Sequence, residues 1–346
     1  MDIGFEEIRD WEAVGARWRA LQAAADGGFF RSWDFIGCQA AARVDAPWLL
    51  TVRAHGADQA LGLLNRHAGH WHLNVTGRKA LDTVYIEHNG LLLRAAASGA
   101  LAAGMAALAA RGRVVLAGVD DAHLAAARAA GLVVGLTTQP APAVALDALR
   151  GRYLDSLSAN ARAQIRRALR LCGGDVALRP AVDVAETLAW FDAMVTLHQA
   201  HWARRGKPGA FADPAICEFH RELLGRAAPA GAAAMLRVTA AEAVVGYLYV
   251  LLGGGIAHAY QSGFVAPADA RHKPGLICHA LAVEHFRAAG MARYDLMVGA
   301  DRYKLTLAPQ GGQNLHWFTL HPRGSWRAQA ALAGERLAAR LRAALT

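Results

Sequence analysis

The hydrophobic and polar positions between residues 234 and 298 predict a meander of strands followed by one strand–helix–strand passage. Three segments alternate and are rich in β-branched and aromatic residues, with glycines at 253–255 in the second turn. These segments are 234–239, 244–252 and 256–264. An amphipathic helix entered through Pro274-Gly275 follows, and then a strand over 293–298. This order predicts that strands 256–264 and 293–298 lie side by side in one mixed sheet but splay apart.

The first half of the chain also alternates strands and helices, which predicts an α/β fold. Short strands are expected at 48–53, 60–66 and 71–75, and an alanine-rich helix at about 92–110. Strand 113–119, helix 122–130 and strand 132–138 then form a passage that could place its two strands side by side. The stretch Gln139–Pro142 breaks the pattern and serves as the expected connection. We therefore predict an N-terminal α/β domain over 1–148 and a C-terminal domain over 149–346.

The second half is the basic half of the chain. Residues 1–149 hold 13 Lys and Arg against 14 Asp and Glu, whereas residues 150–346 hold 24 against 14. A helix expected at about 152–172 carries four of these cations at helical spacing, so they form one basic face. They are Arg162, Arg166, Arg167 and Arg170. An excess of this kind suits a polyanionic ligand such as a coenzyme, a nucleotide-linked substrate or tRNA.

Several classes of protein find no support in the sequence. The four cysteines have no regular spacing, which indicates reduced thiols and a cytoplasmic location. The N-terminus lacks the apolar segment of a signal peptide, and the apolar run 91–110 is interrupted by Arg94, so no membrane span is expected. No phosphate-binding loop, dinucleotide fingerprint or nucleophile elbow occurs, and His198, His201 and His220 lack the companions of a zinc site. We expect neither a metal nor DNA as a ligand.

The loop before the predicted helix at Pro274 is a candidate anion site. Strand 256–264 leads towards a helix N-terminus, where backbone N–H groups and the helix dipole favour a negative ligand. Arg271, Lys273 and, when it is protonated, His272 stand as cations just before this helix. Cations at this position are unfavourable by about 0.3–1 kcal/mol each unless an anion is bound. A diphosphate would satisfy the arrangement, although solvated cations before an ordinary helix start would produce the same spacing.

The same region carries a family resemblance. The order of Tyr-x-Ser-Gly-Phe at 260–264, Pro-Gly at 274–275, Tyr-Asp-Leu at 294–296 and Tyr-Lys at 303–304 resembles the C-terminal half of GNAT-type acetyltransferases. It is most similar to the BioF-like/CelD-type acetyltransferase domain, which is related to the Fem aminoacyl-transferases of peptidoglycan assembly. Upstream, the segments 153–158 and 202–206 resemble the opening of that domain. The resemblance implies a GNAT-like mixed sheet with flanking helices and a degenerate GNAT-like unit before it.

The resemblance also implies where an acyl-CoA would bind. In GNAT enzymes the pantetheine arm lies along the strand that corresponds to 256–264, where it parts from strand 293–298. The backbone after this strand and the loop that opens the helix are then the anchor. The candidate coenzyme-binding residues are Phe264, Val265, Arg271, Lys273, Gly275 and Leu276.

Candidate catalytic residues follow the second strand. Tyr303 stands where GNAT enzymes often carry a tyrosine that protonates the thiolate, and Lys304 is similar in position to a lysine of Fem-type enzymes near the reacting carbonyl. Asp295 lies on the strand itself, where burial of a carboxylate would raise its pKa towards that of a base. Each of the three residue types is equally suited to packing, hydrogen bonding or a solvated surface. For the acceptor we single out Arg166, Trp202, Arg205 and Tyr260.

These observations predict an acyl-CoA-dependent N-acyltransferase, most simply an acetyltransferase, with acetyl-CoA as cosubstrate and direct attack of an amine on the thioester. The expected acceptor is a small-molecule or nucleotide-linked amine. A Fem-like transferase that uses aminoacyl-tRNA on a cell-wall precursor is the first alternative. The second is a binding or scaffold protein without catalytic activity in exopolysaccharide or cellulose synthesis, which the CelD resemblance suggests. Coenzyme binding and tRNA binding discriminate among the three.

Overall fold

A computed structural model describes residues 1–344 apart from residues 26, 83, 85, 174 and 310. The chain divides into two compact units, the first made of Met1–Gln139 with Asn314–Thr346 and the second of Pro140–Gln313. Within the described part of the chain, no helix combines the length and the apolar character that crossing a membrane requires.

Most of the described helices begin at an Asp or Ser whose side chain accepts a backbone N–H of the first turn. In chain order they are α1 (Trp11–Gln22), α2 (Trp33–Arg43), α3 (Ser98–Ala110), α4 (Asp121–Ala130), α5 (Tyr153–Ser156), α6 (Ala159–Leu171), α7 (Val184–Ala203), α8 (Pro214–Ala227), α9 (Pro274–Ala288), α10 (Arg302–Leu307) and α11 (Trp326–Ala344). A short 3-10 helix covers Phe29–Arg31.

The described strands form two sheets. In chain order they are β1 (Asp2–Glu7), β2 (Pro47–Ala54), β3 (Ala57–His67), β4 (His70–Leu73), β5 (Leu92–Leu93), β6 (Val114–Val119), β7 (Leu132–Ala141), β8 (Ala143–Ala145), β9 (Val176–Pro180), β10 (Ala233–Ala240), β11 (Ala243–Gly253), β12 (Ile256–Phe264), β13 (Arg293–Asp295) and β14 (Gln313–His321).

The sheet of the first unit has the order β1-β2-β3-β4-β6-β14-β7, with β5 paired to β3. The prediction that β6 and β7 could be direct neighbours is wrong, because β14 from the C-terminal part of the chain lies between them. This insertion also explains why residues 314–346 group with the first unit. The predicted domain ranges 1–148 and 149–346 therefore differ from the compact units, and as functional domains they stay a prediction.

The sheet of the second unit has the order β8-β13-β12-β11-β10-β9. Strands β9 to β12 are antiparallel, β12 and β13 are parallel, and β8 pairs antiparallel with β13. Buried residues of α6 and α9 pack against this sheet and form the core of the unit. The predicted α/β architecture with a mixed sheet and flanking helices is thus confirmed.

The single helix expected at 152–172 is instead two helices. Leu157 and Ser158 adopt extended backbone conformations between α5 and α6. The Ser158 hydroxyl accepts the N–H of Ala161 at 3.2 Å and so begins a new helix. A capping serine inside an apolar periodic segment marks a helix boundary that periodicity alone does not reveal.

Candidate functional site

The candidate site lies where β13 ends beside β12. These strands pair in parallel over three residues, from Ile256 opposite Arg293 to His258 opposite Asp295. Beyond this point β12 continues to Phe264, while β13 has already ended at Asp295. The predicted side-by-side pairing is confirmed, but the second strand ends at Asp295 and does not reach residue 298, so the predicted splaying of the two strands stays a prediction. Helix α9 connects the two strands.

A β-bulge in β12 sets which way the end of the strand faces. Tyr249 pairs with Gln261 and Val250 pairs with Ala259, so Tyr260 is the extra residue. Past the bulge, the Phe264 ring lies against the first turn of α9. A Cβ added to Gly275 would stand 3.2 Å from Cε2 of that ring, so the glycine allows the close contact.

The loop that enters α9 holds three of the six predicted coenzyme-binding residues. Lys273 precedes the helix in a left-handed conformation, with φ 44°. The guanidinium of Arg271 is engaged by Asp269, whose Oδ2 accepts from Nε at 2.7 Å. Val265 is exposed, but its N–H already donates to the Val245 carbonyl at 3.1 Å. Among these predicted anchors, Lys273 is therefore the better placed cation for an anionic ligand.

A groove of about 580 Å³ in the second unit brings part of the predicted anchor next to a predicted catalytic residue. Lys273 and Leu276 from the start of α9 line it together with Tyr303 and Arg302 from α10. The other described lining residues come from α6, its cap, α10 and the segment after it: Ser158, Asn160, Ala161, Gln164, Leu305, Thr306 and Pro309. The described lining thus carries cations, amides and hydroxyls and no carboxylate, which suits an anionic ligand.

Tyr303 lies on the wall of this groove. Its side chain is 42% exposed, and its ring stacks on that of His279 with a centroid distance of 5.8 Å and an interplanar angle of 24°. Partial burial raises the pKa of Tyr303 to about 12, and the charge of Asp301 adds to the shift. The hydroxyl therefore keeps its proton at neutral pH and can act as a hydrogen-bond donor or an acid.

Sequence reasoning missed His279, whose ring contacts those of Phe264, Tyr294 and Tyr303. It is buried on α9, and its Nδ1 lies 2.8 Å from the hydroxyl of Tyr294 on β13. Burial lowers the pKa of His279 to about 3, and the charge of Lys304 contributes. The imidazole is therefore neutral at physiological pH. The available signal was its spacing of four residues from Gly275, which places both on one face of the helix.

Lys304 is buried, with 7% exposure, so the alternative of a solvated surface charge does not hold. Its Nζ donates to the carbonyl of Val298 at 2.6 Å and to that of Met297 at 3.2 Å. Met297 has a positive φ of 63°, so the ammonium secures a strained turn directly after β13. The role of Lys304 at a reacting carbonyl stays a prediction.

Asp295 is fully buried, with 0% exposure. Its Oδ1 accepts the N–H of Met297 at 2.7 Å, which places this carboxylate in the same turn that Lys304 secures. An acceptor amine does not reach a group buried to this extent directly. A role for Asp295 as a base would require a proton relay, and it stays a prediction.

The predicted acceptor residues lie at three separate places, and none is among the described residues that line the groove. Tyr260 is buried, with its hydroxyl 3.5 Å from Nε2 of His220. Trp202 near the end of α7 has the Arg205 guanidinium 5.8 Å from its ring centroid. Arg166 on α6 lies 3.8 Å from Asp155. Their roles in acceptor binding stay predictions.

Comparison with known proteins identifies the class of this domain. Residues 159–305 match the family described as the acetyltransferase (GNAT) domain, and the whole of this stretch belongs to the second unit. This part of the chain is thus similar to GNAT acetyltransferase domains, in agreement with the resemblance that the sequence showed. No curated protein matches the chain.

Solved structures extend the likeness to both units. FemX has a TM-score of 0.61 at 11% identity, covering 92% of this chain and 97% of FemX. L-PGS from Bacillus licheniformis has a TM-score of 0.57 at 11% identity, with 93% and 96% covered. The C-terminal domain of a putative lysylphosphatidylglycerol synthetase from Agrobacterium fabrum reaches 0.52 at 13%, with 94% and 95% covered. At these identities the likeness shows a shared fold.

Proposed function

We propose that this protein is an acyltransferase that moves an acyl group from an acyl-CoA thioester, most simply acetyl-CoA, directly to an amine. The observation that carries the proposal is the groove in which Tyr303 shares a wall with Lys273 and Leu276 at the start of α9. A GNAT domain over residues 159–305 supports acyl transfer as the reaction class. The expected acceptor is a small-molecule or nucleotide-linked amine. The free cysteines among the described residues support a cytoplasmic location as part of the proposal.

The residues present fit a thioester substrate that carries phosphates. Lys273 and Arg302 would hold phosphate oxygens, and the N-terminal turn of α9 adds a favourable dipole. Attack of the amine forms a C–N bond, and the C–S bond breaks to release a thiolate. The Tyr303 hydroxyl, protonated because its pKa is about 12, would donate a proton to this thiolate. The resulting phenolate would take up the proton that the amine nitrogen loses, which restores the hydroxyl.

The remaining residues of the site would keep Tyr303 in place. His279 is neutral and stacks on the Tyr303 ring, while the hydrogen bond between its Nδ1 and the Tyr294 hydroxyl fixes the imidazole plane. Lys304 holds the turn from which α10 continues. A general acid held in this way loses little entropy when it aligns with the leaving group.

Thermal denaturation with acetyl-CoA tests the proposal. A ligand that binds only the native state adds about 2.7 kcal/mol at a hundred times its dissociation constant, so the melting temperature should rise. Lys273→Glu places a carboxylate in the groove and should weaken the effect, whereas Lys207→Glu, on an exposed turn, is the matched control. No shift with millimolar coenzyme would contradict the acyl-CoA proposal and favour the two alternatives.

An aminoacyl-tRNA donor is the second candidate, favoured by the shared fold with FemX and by the basic side of α6. Its four arginines would neutralise RNA phosphates, so binding should weaken steeply as the salt concentration rises. A gel-shift titration with tRNA at two salt concentrations, comparing wild type with Arg166→Glu, checks this. Binding of neither acetyl-CoA nor tRNA would favour the non-catalytic scaffold.

A further inference from the structure

Three side chains of the first unit form a continuous hydrogen-bonded chain that the acyl-CoA reaction does not use. The hydroxyl Oγ1 of Thr138 on β7 lies 2.9 Å from Nδ1 of His316 on β14. The other ring nitrogen of His316, Nε2, lies 2.7 Å from Oδ1 of Asp121, the first residue of α4. Hydroxyl, imidazole and carboxylate thus follow one another in the order that nucleophilic catalysis uses.

The proton positions follow from the donor and acceptor chemistry of the three groups. A carboxylate accepts hydrogen bonds and does not donate, so Nε2 of His316 must carry the proton that Asp121 receives. In the neutral imidazole the other nitrogen, Nδ1, then offers only a lone pair. The Thr138 hydroxyl therefore donates to it, and its proton already points at a base.

The base of this hydrogen-bonded chain is buried, whereas the hydroxyl and the Asp121 carboxylate, whose side chain is 74% exposed, face solvent. His316 is 4% exposed, so its orientation is fixed by the neighbouring strands, whereas Thr138 lies in the exposed part of β7. Strand β7 stands at the end of the sheet order, beside β14. A ligand can reach the hydroxyl from solvent while the base behind it is held in place.

We propose that Thr138, His316 and Asp121 form a second nucleophilic site, which accepts an acyl group from an activated ester. Oγ1 of Thr138 attacks the ester carbonyl, the new O–C bond forms, and the bond to the leaving alcohol breaks. The hydroxyl proton passes to Nδ1 of His316 and then to the leaving oxygen. Asp121 holds the imidazole tautomer and stabilises the imidazolium that forms in between. The product is an acyl ester of Thr138.

Acetylation by p-nitrophenyl acetate tests this site in the full chain. Release of p-nitrophenolate gives the rate, and intact mass with peptide mapping locates the acetyl group. We expect one acetyl group on Thr138 in the wild type, and at least a 10²-fold slower reaction in His316→Gln, the loss typical of a missing general base. Thr138→Ser should retain labelling at position 138, and Thr138→Ala should lose it.

Thr137→Ala is the matched control, because Thr137 is an exposed neighbour on the same strand whose side chain points to the opposite face. It should label at the wild-type rate. Melting temperatures identify variants that fail to fold, and Thr138→Ala changes only an exposed side chain. Unmodified Thr138 in the wild type, or equal labelling of that residue with and without His316, would overturn the proposal. The three hydrogen-bonded side chains would then have only a structural role between the strands.

Discussion

Replacing Lys304 by Met tests whether this buried ammonium is a structural group of the site. Its Nζ donates to the carbonyls of Val298 and Met297 at 2.6 and 3.2 Å. Hydrogen bonds to charged groups contribute about 1.5–3 kcal/mol each, and the longer bond belongs at or below the lower end. Methionine keeps most of the apolar stem, so packing changes little. We expect the free energy of unfolding to fall by about 2–4 kcal/mol.

Two measurements check this expectation. For a unit of this size, each kcal/mol shifts the melting temperature by about 2–4 °C, so Lys304→Met should melt roughly 4–16 °C below wild type. The pKa of His279 should rise when the nearby charge is removed, which NMR titration of the imidazole can follow. Lys207→Met, in the exposed segment after α7, removes only a cation–π contact in which Nζ lies 5.5 Å from the Trp202 ring centroid, so it should stay within about 1 kcal/mol of wild type.

The reasoning is refuted if Lys304→Met melts together with the Lys207→Met control. That result would mean that water replaces the ammonium at both carbonyls and that the turn after β13 needs no cation. Lost turnover with an unchanged melting temperature would instead support the predicted role of Lys304 at the reacting carbonyl.

Three further predictions concern the groove. Tyr303→Phe keeps the ring stacked on His279 and removes only the hydroxyl. Thiol release from the acyl donor should therefore slow about 10²-fold or more, while the melting temperature barely changes. Full activity of this variant would exclude Tyr303 as the acid. Gly275→Val forces a branched side chain against the Phe264 ring and should cost about 1–3 kcal/mol by urea denaturation, and an unchanged midpoint would contradict the close packing. Because the pKa of His279 falls from 6.5 to about 3 on folding, the unfolded state binds more protons between these values, so stability should decrease as the pH drops from 6.5 towards 3. His279→Gln should flatten the melting temperature across that window, and an unaltered pH profile would assign the loss to other groups.

Local chemistry made part of this site predictable from the sequence. Strand β12 runs from Ile256 to Phe264 as predicted, because glycines at its start and a proline-containing loop after it define both ends. Helix α9 begins at Pro274, where the missing N–H of proline is tolerated. Signals of this kind depend only on neighbouring residues along the chain, so they can be recognised without knowledge of the fold.

Other features depend on contacts between distant segments, and no local pattern encodes them. His279 lies on an apolar helix face and looks like a core residue until Tyr294 and Tyr303 are placed beside it. Lys304 looks like a surface charge because its acceptors are backbone carbonyls, which every residue has. The pairing of β14 between β6 and β7 joins segments almost 200 residues apart.

The insertion of β14 has a consequence for how the protein is made. During synthesis on the ribosome, β6 and β7 emerge long before β14, which pairs between them in the finished sheet. Until β14 is made, the edges of β6 and β7 that face it have unpaired backbone groups. The second unit, Pro140–Gln313, is complete before β14 is translated. The later-translated unit can thus finish folding first, and the nascent first unit is the part most exposed to aggregation and to chaperones.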